Sequence, residues 1–469
     1  MKVPRTTPGA SADLGPAWAG SSVNCVPFRH RAIVPVDGGY VVAFYDAEGR
    51  VVLQRLDGAL ALIRRLVVAS PIQPHDAHTC ISLEQDPEGY LHAIFGAHAS
   101  TAYHVRVPAA LDTDPPLAAP LGMQLDGRFT YPTLIRQSSS GELLLLYREG
   151  GPWRGALRVK RWRQQDNAFA DDPTPLLSGE TCQPGTGPYI NRPVVLADGR
   201  MAFFLVWRLA REASSAGDVV NMGLDLVMTD AALRTLHSFD GVELARPVTP
   251  VHSPRVWAVP MGAGMINQGA AAVGPGGAPV ALTYWNDAEG VAQYYIVWHE
   301  ATGWRATAIS RFRTRFALRG RGTLPLPHSR PELLIRPDGT ALCLFRSTEY
   351  SNRLMVTLVK PPYDDTGQHR TILLLNKDLG HYEPIVDHET FDKEGALVVY
   401  VQWCHQDQGD AQRRRKSVSA RLVRWPAQQI ESWMTMDNHD HRSLGSQFQL
   451  AARSLRAWII EGVIAHLRR

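Results

Sequence analysis

The highest concentration of chemically active side chains lies between residues 75 and 104. Five of the 17 histidines fall in this stretch, and Asp76 stands among them. Imidazole titrates near neutral pH and is the commonest metal ligand in proteins. The stretch therefore predicts a site that transfers protons or binds a metal ion. Its histidines are His75, His78, His92, His98 and His104.

Some of these histidines could have a structural role instead of a chemical one. His92 alternates with apolar residues in the segment YLHAIF, which predicts a packed position in a strand. His75 and Asp76 could form a turn in which the carboxylate accepts backbone N–H groups. His78 precedes one predicted strand and His98 follows another, so we expect these two side chains to converge.

Metal binding remains open from the residues alone. His78 and His98 could bind zinc together, although their spacing matches no compact zinc motif. A second set of Cys and His side chains could hold a structural metal, although such residues at long range are more often core residues. We therefore predict no required cofactor and leave a structural metal ion open. The second set comprises His328, Cys343, Cys404 and His405.

Tyrosines and arginines recur at the starts and ends of later predicted strands. Tyr131 precedes a proline, which favours an extended backbone at that tyrosine. Arg148 follows the apolar run LLLLY, at the loop end of its strand. A single tyrosine or arginine at such a place is usually packed or solvated, but the repeated placement favours a shared site. The other members are Tyr189, Asn191, Arg192 and Arg208.

A pattern that recurs seven times carries these side chains. Each copy has a turn rich in Asp, Glu or Gly, an apolar strand, a short polar stretch and a second strand. The copies are spaced about 50 to 80 residues apart, as propeller blades are. The first strands read YVVAFYD, YLHAIFGAH, ELLLLYREG, RMAFFLVWR, APVALTYWND, TALCLFRS and ALVVYVQW.

These repeats predict an all-β fold, a seven-bladed β-propeller. One four-stranded sheet cannot bury both faces, whereas a ring of sheets can. A β-sandwich needs fewer strands, and a β-helix has a much shorter repeat. We predict that residues 1–425 form the propeller, as a catalytic domain. Apolar residues from 443 onward recur at helical spacing, which predicts that residues 426–469 form an amphipathic helical extension packed on the propeller.

Composition narrows the class of protein further. The net charge of +4 over 469 residues is too small to predict nucleic-acid binding, but it allows a local basic cleft for an anionic ligand. Five cysteines without a CxxC motif predict reduced thiols rather than a disulfide framework. We find no signal-peptide pattern and no membrane span, so we expect a cytoplasmic protein or a mature exported chain. We also expect a monomer.

Several stretches resemble the BNR-repeat-like propeller family that includes the ulvan lyases and related rhamnose–glucuronate lyases. The resemblance covers roughly residues 18–405, and the paired histidines around D-x-x-G-x-x-H are its most specific part. Ala77, Thr79 and the pair 96–97 depart from the residues common in the family, which leaves the substrate open. The stretches are SVNCVPFRH, HDAHTCISLEQDPEGYLHAIFGAH, FTYPTLIR, LYREGG, GPYINRPVVLADGRMAFFLVWR, INQGAAAVGPGGAP and LGHYEPIVDHE.

The resemblance implies a seven-bladed lyase that cleaves uronic-acid-containing polysaccharides by β-elimination. His78 and His98 fall on its paired histidines, and Tyr131, Arg148 and Tyr189 on its tyrosine and arginine positions. We expect Arg148 with His78 to neutralise the substrate carboxylate, because a guanidinium matches a carboxylate bidentately. We expect Tyr131, with a pKa lowered by a nearby cation, to act as acid and base, and His98 to act as its partner or as the base. The expected substrate-binding residues are His75, Tyr189, Arg192 and Arg208.

Two other functions remain open from the sequence. A glycoside hydrolase on the same fold would need two carboxylates, and the nearest acids to these motifs are Asp76 and Glu149. A propeller that only binds carbohydrate or protein is the third possibility, since a fold does not fix a function. The site is poor in carboxylates and rich in His, Tyr and Arg, which favours elimination.

Overall fold

The fold is built almost entirely from β-strands. The computed structural model describes residues 4–28, 31–69, 74–112, 123–137, 140–209, 218–364, 369–410 and 416–435. Within these ranges the α-helices are α1 (His388–Glu394) and α2 (Ala427–Trp433). The strands are β1 (Ala10–Trp18), β2 (Ile33–Val36), β3 (Gly39–Tyr45), β4 (Val51–Asp57), β5 (Leu62–Ala69), β6 (Ser82–Gln85), β7 (Tyr90–Phe95), β8 (Ser100–Pro108), β9 (Met123–Arg136), β10 (Leu143–Gly151), β11 (Arg154–Arg163), β12 (Ala168–Asp171), β13 (Leu177–Ser178), β14 (Thr186–Ile190), β15 (Val194–Val195), β16 (Met201–Leu209), β17 (Asn221–Thr229), β18 (Leu236–His237), β19 (Glu243–Leu244), β20 (Arg255–Trp257), β21 (Ala270–Val273), β22 (Pro279–Asn286), β23 (Ala292–Glu300), β24 (Gly303–Ala308), β25 (Glu332–Ile335), β26 (Ala341–Ser347), β27 (Arg353–Val359), β28 (Arg370–Leu375), β29 (Ile385–Val386), β30 (Leu397–Val401) and β31 (Ser417–Trp425).

All seven predicted strand pairs are present as antiparallel pairs, which confirms the repeat seen in the sequence. Their strands carry Val, Leu, Phe and Tyr side chains that are buried on both faces in most positions. This explains why they appear in the sequence as continuous apolar runs. The pairs are β3 with β4, β7 with β8, β10 with β11, β16 with β17, β22 with β23, β26 with β27, and β30 with β31.

Aspartate turns fix the register of these pairs. In the turn before β7, Oδ1 of Asp86 accepts hydrogen bonds from the backbone N–H groups of Glu88 (3.0 Å) and Tyr90 (2.9 Å). Gly89 adopts φ +86° there, a left-handed conformation that glycine reaches without a steric penalty. The same Asp-x-x-Gly geometry recurs before β23, where Asp287 accepts from Val291 N–H at 2.9 Å. The Asp-x-x-Gly signal before β7 is therefore a hairpin turn. The Glu-Gly signal before β30 instead ends helix α1, where Gly395 is the C-cap residue.

The described strands form six sheets. Four are four-stranded: β2–β5, β21–β24, β25–β28, and the sheet in which β1 joins β29–β31. One eight-stranded sheet runs from β6 to β13, because the long strand β9 pairs with β8 along its first part and with β10 along its second. A seven-stranded sheet contains β14–β20. Strand β1 pairs with β31, so the first and last of the described strands lie in one sheet.

Apolar clusters fill the spaces between successive sheets. One cluster joins β2–β5 to β6–β8, and others continue through β9–β13, β14–β20 and β21–β24 to β25–β28. Another joins β25–β28 and the sheet of β1 and β29–β31 back to β2–β5. Every sheet therefore contributes to more than one cluster, and burial of apolar area on both faces is the main stabilising force.

Helix α2 packs its apolar side chains against the strands. Ile430 and Trp433 are fully buried in the cluster shared with β30 and β31. The predicted amphipathic helix between residues 443 and 469 lies outside the described residues. No helix among the described residues is long and apolar enough to cross a membrane.

Candidate functional site

A cavity of about 280 Å³ collects side chains from most of the chain. Six of the eight residues predicted to form the site line its wall. The other lining residues relevant to the chemistry come from loops that the motifs did not single out. The six are His78, His98, Tyr131, Arg148, Tyr189 and Arg208, and the additional ones include Phe28, Trp153, Asn267, Arg330 and Asp410.

Asp76 orients both histidines at the cavity. It caps the 3₁₀ turn Ala77–Thr79 by accepting the backbone N–H of His78 at 2.9 Å. Its Oδ1 also lies 2.8 Å from Nδ1 of His78, and its Oδ2 lies 2.5 Å from Nδ1 of His98. The two imidazole rings stack at 4.0 Å between centroids. One carboxylate thus holds both rings by their Nδ1 atoms, an arrangement that orients an imidazole for proton transfer.

A second carboxylate makes His78 a cation at neutral pH. Oδ1 of Asp410 lies 3.2 Å from Nδ1 of His78 and accepts the backbone N–H of Thr323 at 2.9 Å. Burial alone would lower the pKa of His78, but the hydrogen bonds and charges of Asp410 and Asp76 outweigh it and raise that pKa to about 9. The pKa values of Asp76 and Asp410 are lowered, because their bonds to histidine outweigh the opposing effect of burial.

The same four residues could hold a metal ion. One donor atom from each of Asp76, His78, His98 and Asp410 lies within 4.8 Å of the others. The scattered Cys and His set is not assembled, since no other such group of three or more side chains occurs among the described residues. Its members have separate surroundings: His328 contacts Ser347 and Phe312, Cys343 is a buried core residue, and His405 contacts Asp407.

Tyr131 reaches the cavity because β9 bulges at this point. Thr130 pairs with Arg148 and Thr133 with Leu146, so two residues of β9 oppose one residue of β10. Tyr131 adopts φ +56°, a left-handed conformation that is rare and strained for an aromatic residue. Strained backbone of this kind is common where a side chain must be aimed at a functional site.

Arg148 is a buried cation without an ionic partner among the described residues. It is 4% exposed, and its Nε and Nη1 atoms make no hydrogen bond within the described ranges. Its guanidinium carbon lies 4.8 Å from the ring centre of Tyr131 and 4.7 Å from that of Tyr189. Because an unpaired buried charge is costly, this arrangement is suited to receiving an anionic group from a ligand.

The two tyrosines differ in their electrostatic surroundings. Arg208 donates a hydrogen bond from Nη1 to the hydroxyl of Tyr189 at 3.3 Å and is held by Asn267 at 2.6 Å. Burial would raise the pKa of Tyr189, but Arg148 and Arg208 outweigh it and lower that pKa. Burial and the neighbouring Tyr189 raise the pKa of Tyr131. The expectation of a lowered pKa at Tyr131 was therefore wrong, because burial there outweighs the opposing effect of Arg148 and Arg208.

Two predicted substrate-binding residues lie elsewhere. His75 packs edge-on against Trp18, with 5.0 Å between ring centroids, and does not line the cavity. Arg192 is also absent from the cavity wall. Burial lowers its pKa, although the carboxylates of Glu332 and Asp392 oppose that shift. Both predictions relied on short sequence distance from site residues. Neither side chain lines the cavity.

Several site residues were not singled out from the sequence. Phe28 packs against His78 and Tyr131 at 5.3 and 5.0 Å between centroids, and it lies within the stretch SVNCVPFRH. Arg330 forms a buried ion pair with Glu383 at 2.6 Å and donates to the carbonyl of Asn267 at 3.1 Å. Phe28 and Asn267 could have been found in the stretches that carry the family resemblance. Nothing local in the sequence marks Asp410.

Comparison with known proteins yields matches of two kinds. A solved structure of a PL25 ulvan lyase bound to -[GlcA(1-4)Rha3S]- is similar with a TM-score of 0.63 and 11% identity, over 89% of this chain and 96% of that one. A second PL25 ulvan lyase structure has a TM-score of 0.62 and 11% identity over the same shares. At this identity the likeness shows the fold alone. No curated protein sequence matches the chain.

The second match concerns the sequence itself. The model of a BNR repeat-containing family member matches residues 40–312, which is more than half of the chain. The matched range begins in β3 and ends after β24. It includes Asp76 with His78 and His98, and Arg148 with Tyr131 and Tyr189. The chain therefore belongs to the BNR repeat-containing family.

Proposed function

We propose that this protein is a polysaccharide lyase that cleaves a uronic-acid-containing polysaccharide of the glucuronate/rhamnose type by β-elimination. Arg148, a buried guanidinium with unsatisfied donors at a cavity wall, is the strongest support. A carboxylate is the planar anion that a guanidinium binds best. The similar ulvan lyase structure, bound to a glucuronate–rhamnose ligand, supports the substrate class.

The first requirement of elimination is to make the C5 proton of the uronate acidic. That proton is α to the C6 carboxylate, and the negative charge of the intermediate spreads onto the carboxylate oxygens. Arg148 binds this carboxylate, and the cationic His78 adds positive charge beside it. Electrostatic stabilisation of a developing anion is usually the largest catalytic contribution.

The second requirement is a base that removes the C5 proton and an acid that protonates the leaving oxygen O4. His98 takes the C5 proton, because Asp76 holds its Nδ1 and leaves Nε2 to accept. Tyr131 donates its hydroxyl proton to O4, since its raised pKa keeps the phenol protonated. The C5–H and C4–O4 bonds break, the C4=C5 double bond forms, and O4 leaves as a hydroxyl. Tyr189 and Arg208 bind the sugar.

A hydrolase is less well supported by the same geometry. Hydrolysis needs a protonated carboxylic acid with a raised pKa beside a second carboxylate. The pKa values of Asp76 and Asp410 are both lowered, so both carboxylates are ionised at neutral pH. Glu149 is bound to Arg158 and does not line the cavity.

We further propose that residues 1–425 form a closed seven-bladed propeller. The bend of β9 at Tyr131 divides the eight-stranded sheet into two four-stranded units, β6–β8 with the first part of β9 and the second part of β9 with β10–β12. The seven-stranded sheet supplies one further unit around β16 and β17. Apolar clusters that lead from each sheet to the next and back to β2–β5 support ring closure.

The test of the lyase proposal is absorbance of an unsaturated uronate. The purified protein is mixed with a panel of uronate polysaccharides, including ulvan and polyglucuronate, and absorbance of the conjugated C4=C5 uronate is followed together with reducing ends. We expect both signals to rise in parallel. New reducing ends without absorbance would identify a hydrolase, and binding without either signal would identify a carbohydrate-binding protein.

A further inference from the structure

A second cavity of about 350 Å³ adjoins the first. The two cavities share the wall residues Asp218, Val219, Val220 and Leu318. Within that shared wall, which we call the ridge, the backbone N–H of Val219 donates to the carbonyl of Leu318 at 3.0 Å. Because the ridge lines both cavities, a ligand in the first cavity lies next to the second.

An arginine-rich segment borders both cavities. We call residues 311–321 the arginine strap, because five of its eleven residues are arginines. Its arginines are exposed, whereas Phe312 and Leu318 are buried. Apolar side chains thus hold the strap to the sheets, and the cations point to solvent. The arginines are Arg311, Arg313, Arg315, Arg319 and Arg321.

Several contacts that do not use its arginine side chains help to hold the strap in place. The ring of Phe312 stacks on His328 at 3.8 Å between centroids, and its backbone N–H donates to Gln293 at 2.9 Å. One oxygen of Glu349 accepts the backbone N–H groups of Arg313 and Thr314, each at 2.7 Å. A strap ordered before binding loses less conformational entropy when a ligand arrives.

The strap arginines differ in whether they are already neutralised. Arg319 forms an ion pair with Asp218 at 2.5 Å on the ridge. Arg315 lines the second cavity and Arg321 lines the first, and neither forms an ion pair with a carboxylate of the described residues. Arg313 lines neither cavity. Unpaired cations at a cavity wall favour an anionic ligand there.

We propose that Arg315 and Arg321 form a second anionic subsite, which binds acidic sugar units next to the one that occupies the cavity of Arg148. The occupant is the same polyanionic polysaccharide chain that fills the first cavity. The identity of this polymer rests on the proposed function. The half-buried ring of Phe316 lines the same cavity and offers an apolar surface to the C–H face of a sugar. Long acidic chains should therefore bind more tightly than single acidic units.

A binding experiment tests the subsite without any need for catalysis. Fluorescently labelled polyglucuronate is titrated with the wild type, with the double variant Arg315→Gln/Arg321→Gln, and with the control Arg313→Gln/Arg64→Gln. The control removes the same charge from exposed positions outside both cavities. We expect Kd to rise about tenfold in the first variant, because two exposed ion pairs together contribute about that factor. We expect less than a twofold change in the control.

Chain length and salt sharpen the result. The difference between the two variants should shrink at high ionic strength. It should also be smaller for glucuronate monosaccharide, which can contact Arg321 in the first cavity but cannot reach Arg315 in the second at the same time. Equal loss of affinity in both variants would show a nonspecific charge effect and would overturn the proposal. Tighter, strap-dependent binding of single-stranded DNA than of polyglucuronate would overturn it in favour of a nucleic-acid ligand.

The subsite and the lyase activity can fail independently. Binding of polyglucuronate that depends on Arg315 and Arg321, without formation of unsaturated uronate from any polymer, would contradict the lyase proposal and leave the subsite standing. Elimination with the same KM for long polymer in the wild type and in Arg315→Gln/Arg321→Gln would contradict the subsite and leave the lyase standing.

Discussion

Two stacked histidine pairs lie in and beside one sheet, and the pKa shifts of His78 and His104 have opposite directions. The cavity pair, His78 and His98, stacks at 4.0 Å, and the buried pair, His92 and His104, stacks at 5.0 Å between ring centroids. Each pair has its own aspartate. The pKa of His78 is raised to about 9, whereas burial lowers the pKa of His104 to about 3.

The difference lies in how each carboxylate is shared. Asp86 lies 3.0 Å from Nε2 of His92 but also accepts two hydrogen bonds from Arg106, at 3.0 and 2.8 Å. An arginine already neutralises that carboxylate, so the buried pair remains uncharged and the two imidazoles bond to each other at 2.9 Å. The cavity pair has two carboxylates, and no arginine within the described ranges is bonded to them. The proposed function therefore assigns the chemistry to the cavity pair, whose carboxylates are not already paired with an arginine of the described residues.

The largest expected effect comes from removing the carboxylate that orients the cavity pair. Asp76→Asn should lower kcat by about 10³-fold, because His98 loses the group that fixes its ring and tautomer. The matched change Asp86→Asn in the buried pair should leave kcat of the folded protein unchanged. Steady-state kinetics by uronate absorbance measures both, and equal losses in the two variants would contradict the assignment of chemistry to the cavity pair.

The buried pair should instead control stability. Asp86→Asn leaves Arg106 and His92 without their buried acceptor, and breaking a buried ion pair costs about 3–5 kcal/mol. Chemical denaturation of the variant and the wild type measures the change in the free energy of unfolding. An unchanged free energy would show that this network is not a structural element.

The free energy of unfolding should depend on pH in opposite directions for His78 of the cavity pair and His104 of the buried pair. A pKa of His78 raised from 6.5 to about 9 stabilises the fold below pH 6.5, and this contribution of on the order of 3 kcal/mol is lost as pH rises towards 9. The lowered pKa of His104 has the opposite effect, so its contribution is lost as pH falls from 6.5 towards 3.

Denaturation curves of single variants across this pH range measure how the free energy of unfolding changes with pH. His78→Asn should flatten the alkaline decline of the free energy of unfolding, and His104→Asn should reduce the acid decline. An alkaline decline that is the same in His78→Asn and in the wild type would contradict the raised pKa of His78.

The smallest effect is expected at the second carboxylate of the cavity pair. Asp410→Asn leaves Asp76 in place, so the pKa of His78 should fall by about one unit. Proton NMR of the histidine ring signals during a pH titration measures that shift. No shift in Asp410→Asn would mean that Asp76 alone sets the charge of His78.

The strands and the outline of the site could be predicted from the sequence, because both depend on local signals. Apolar runs that follow turns rich in Asp, Glu or Gly mark the seven strand pairs. His92 was correctly predicted as a packed residue and is fully buried. His78, His98, Tyr131, Arg148, Tyr189 and Arg208 all reach one cavity, as strand-end positions in neighbouring sheets allow.

What could not be predicted depends on contacts between distant parts of the chain. Asp410 contacts His78 through a loop in the last part of the chain, and no spacing rule links them. The lowered pKa of Tyr189 depends on Arg148 and on Arg208, and Asn267 holds the side chain of Arg208. The left-handed backbone of Tyr131 follows from a bulge that the local sequence does not predict. Charge states of side chains are thus set by tertiary partners.

The most direct test compares two tyrosines on paired strands. Tyr131 lines the cavity, whereas Tyr147 packs against Phe129 at 4.2 Å between centroids and does not line it. Tyr131→Phe and Tyr147→Phe each remove one phenolic hydroxyl, and the rate of unsaturated-uronate formation is measured for both. We predict a loss of about 10²- to 10⁴-fold in kcat for Tyr131→Phe and none for Tyr147→Phe. A fully active Tyr131→Phe protein would contradict proton donation by Tyr131 to the leaving oxygen.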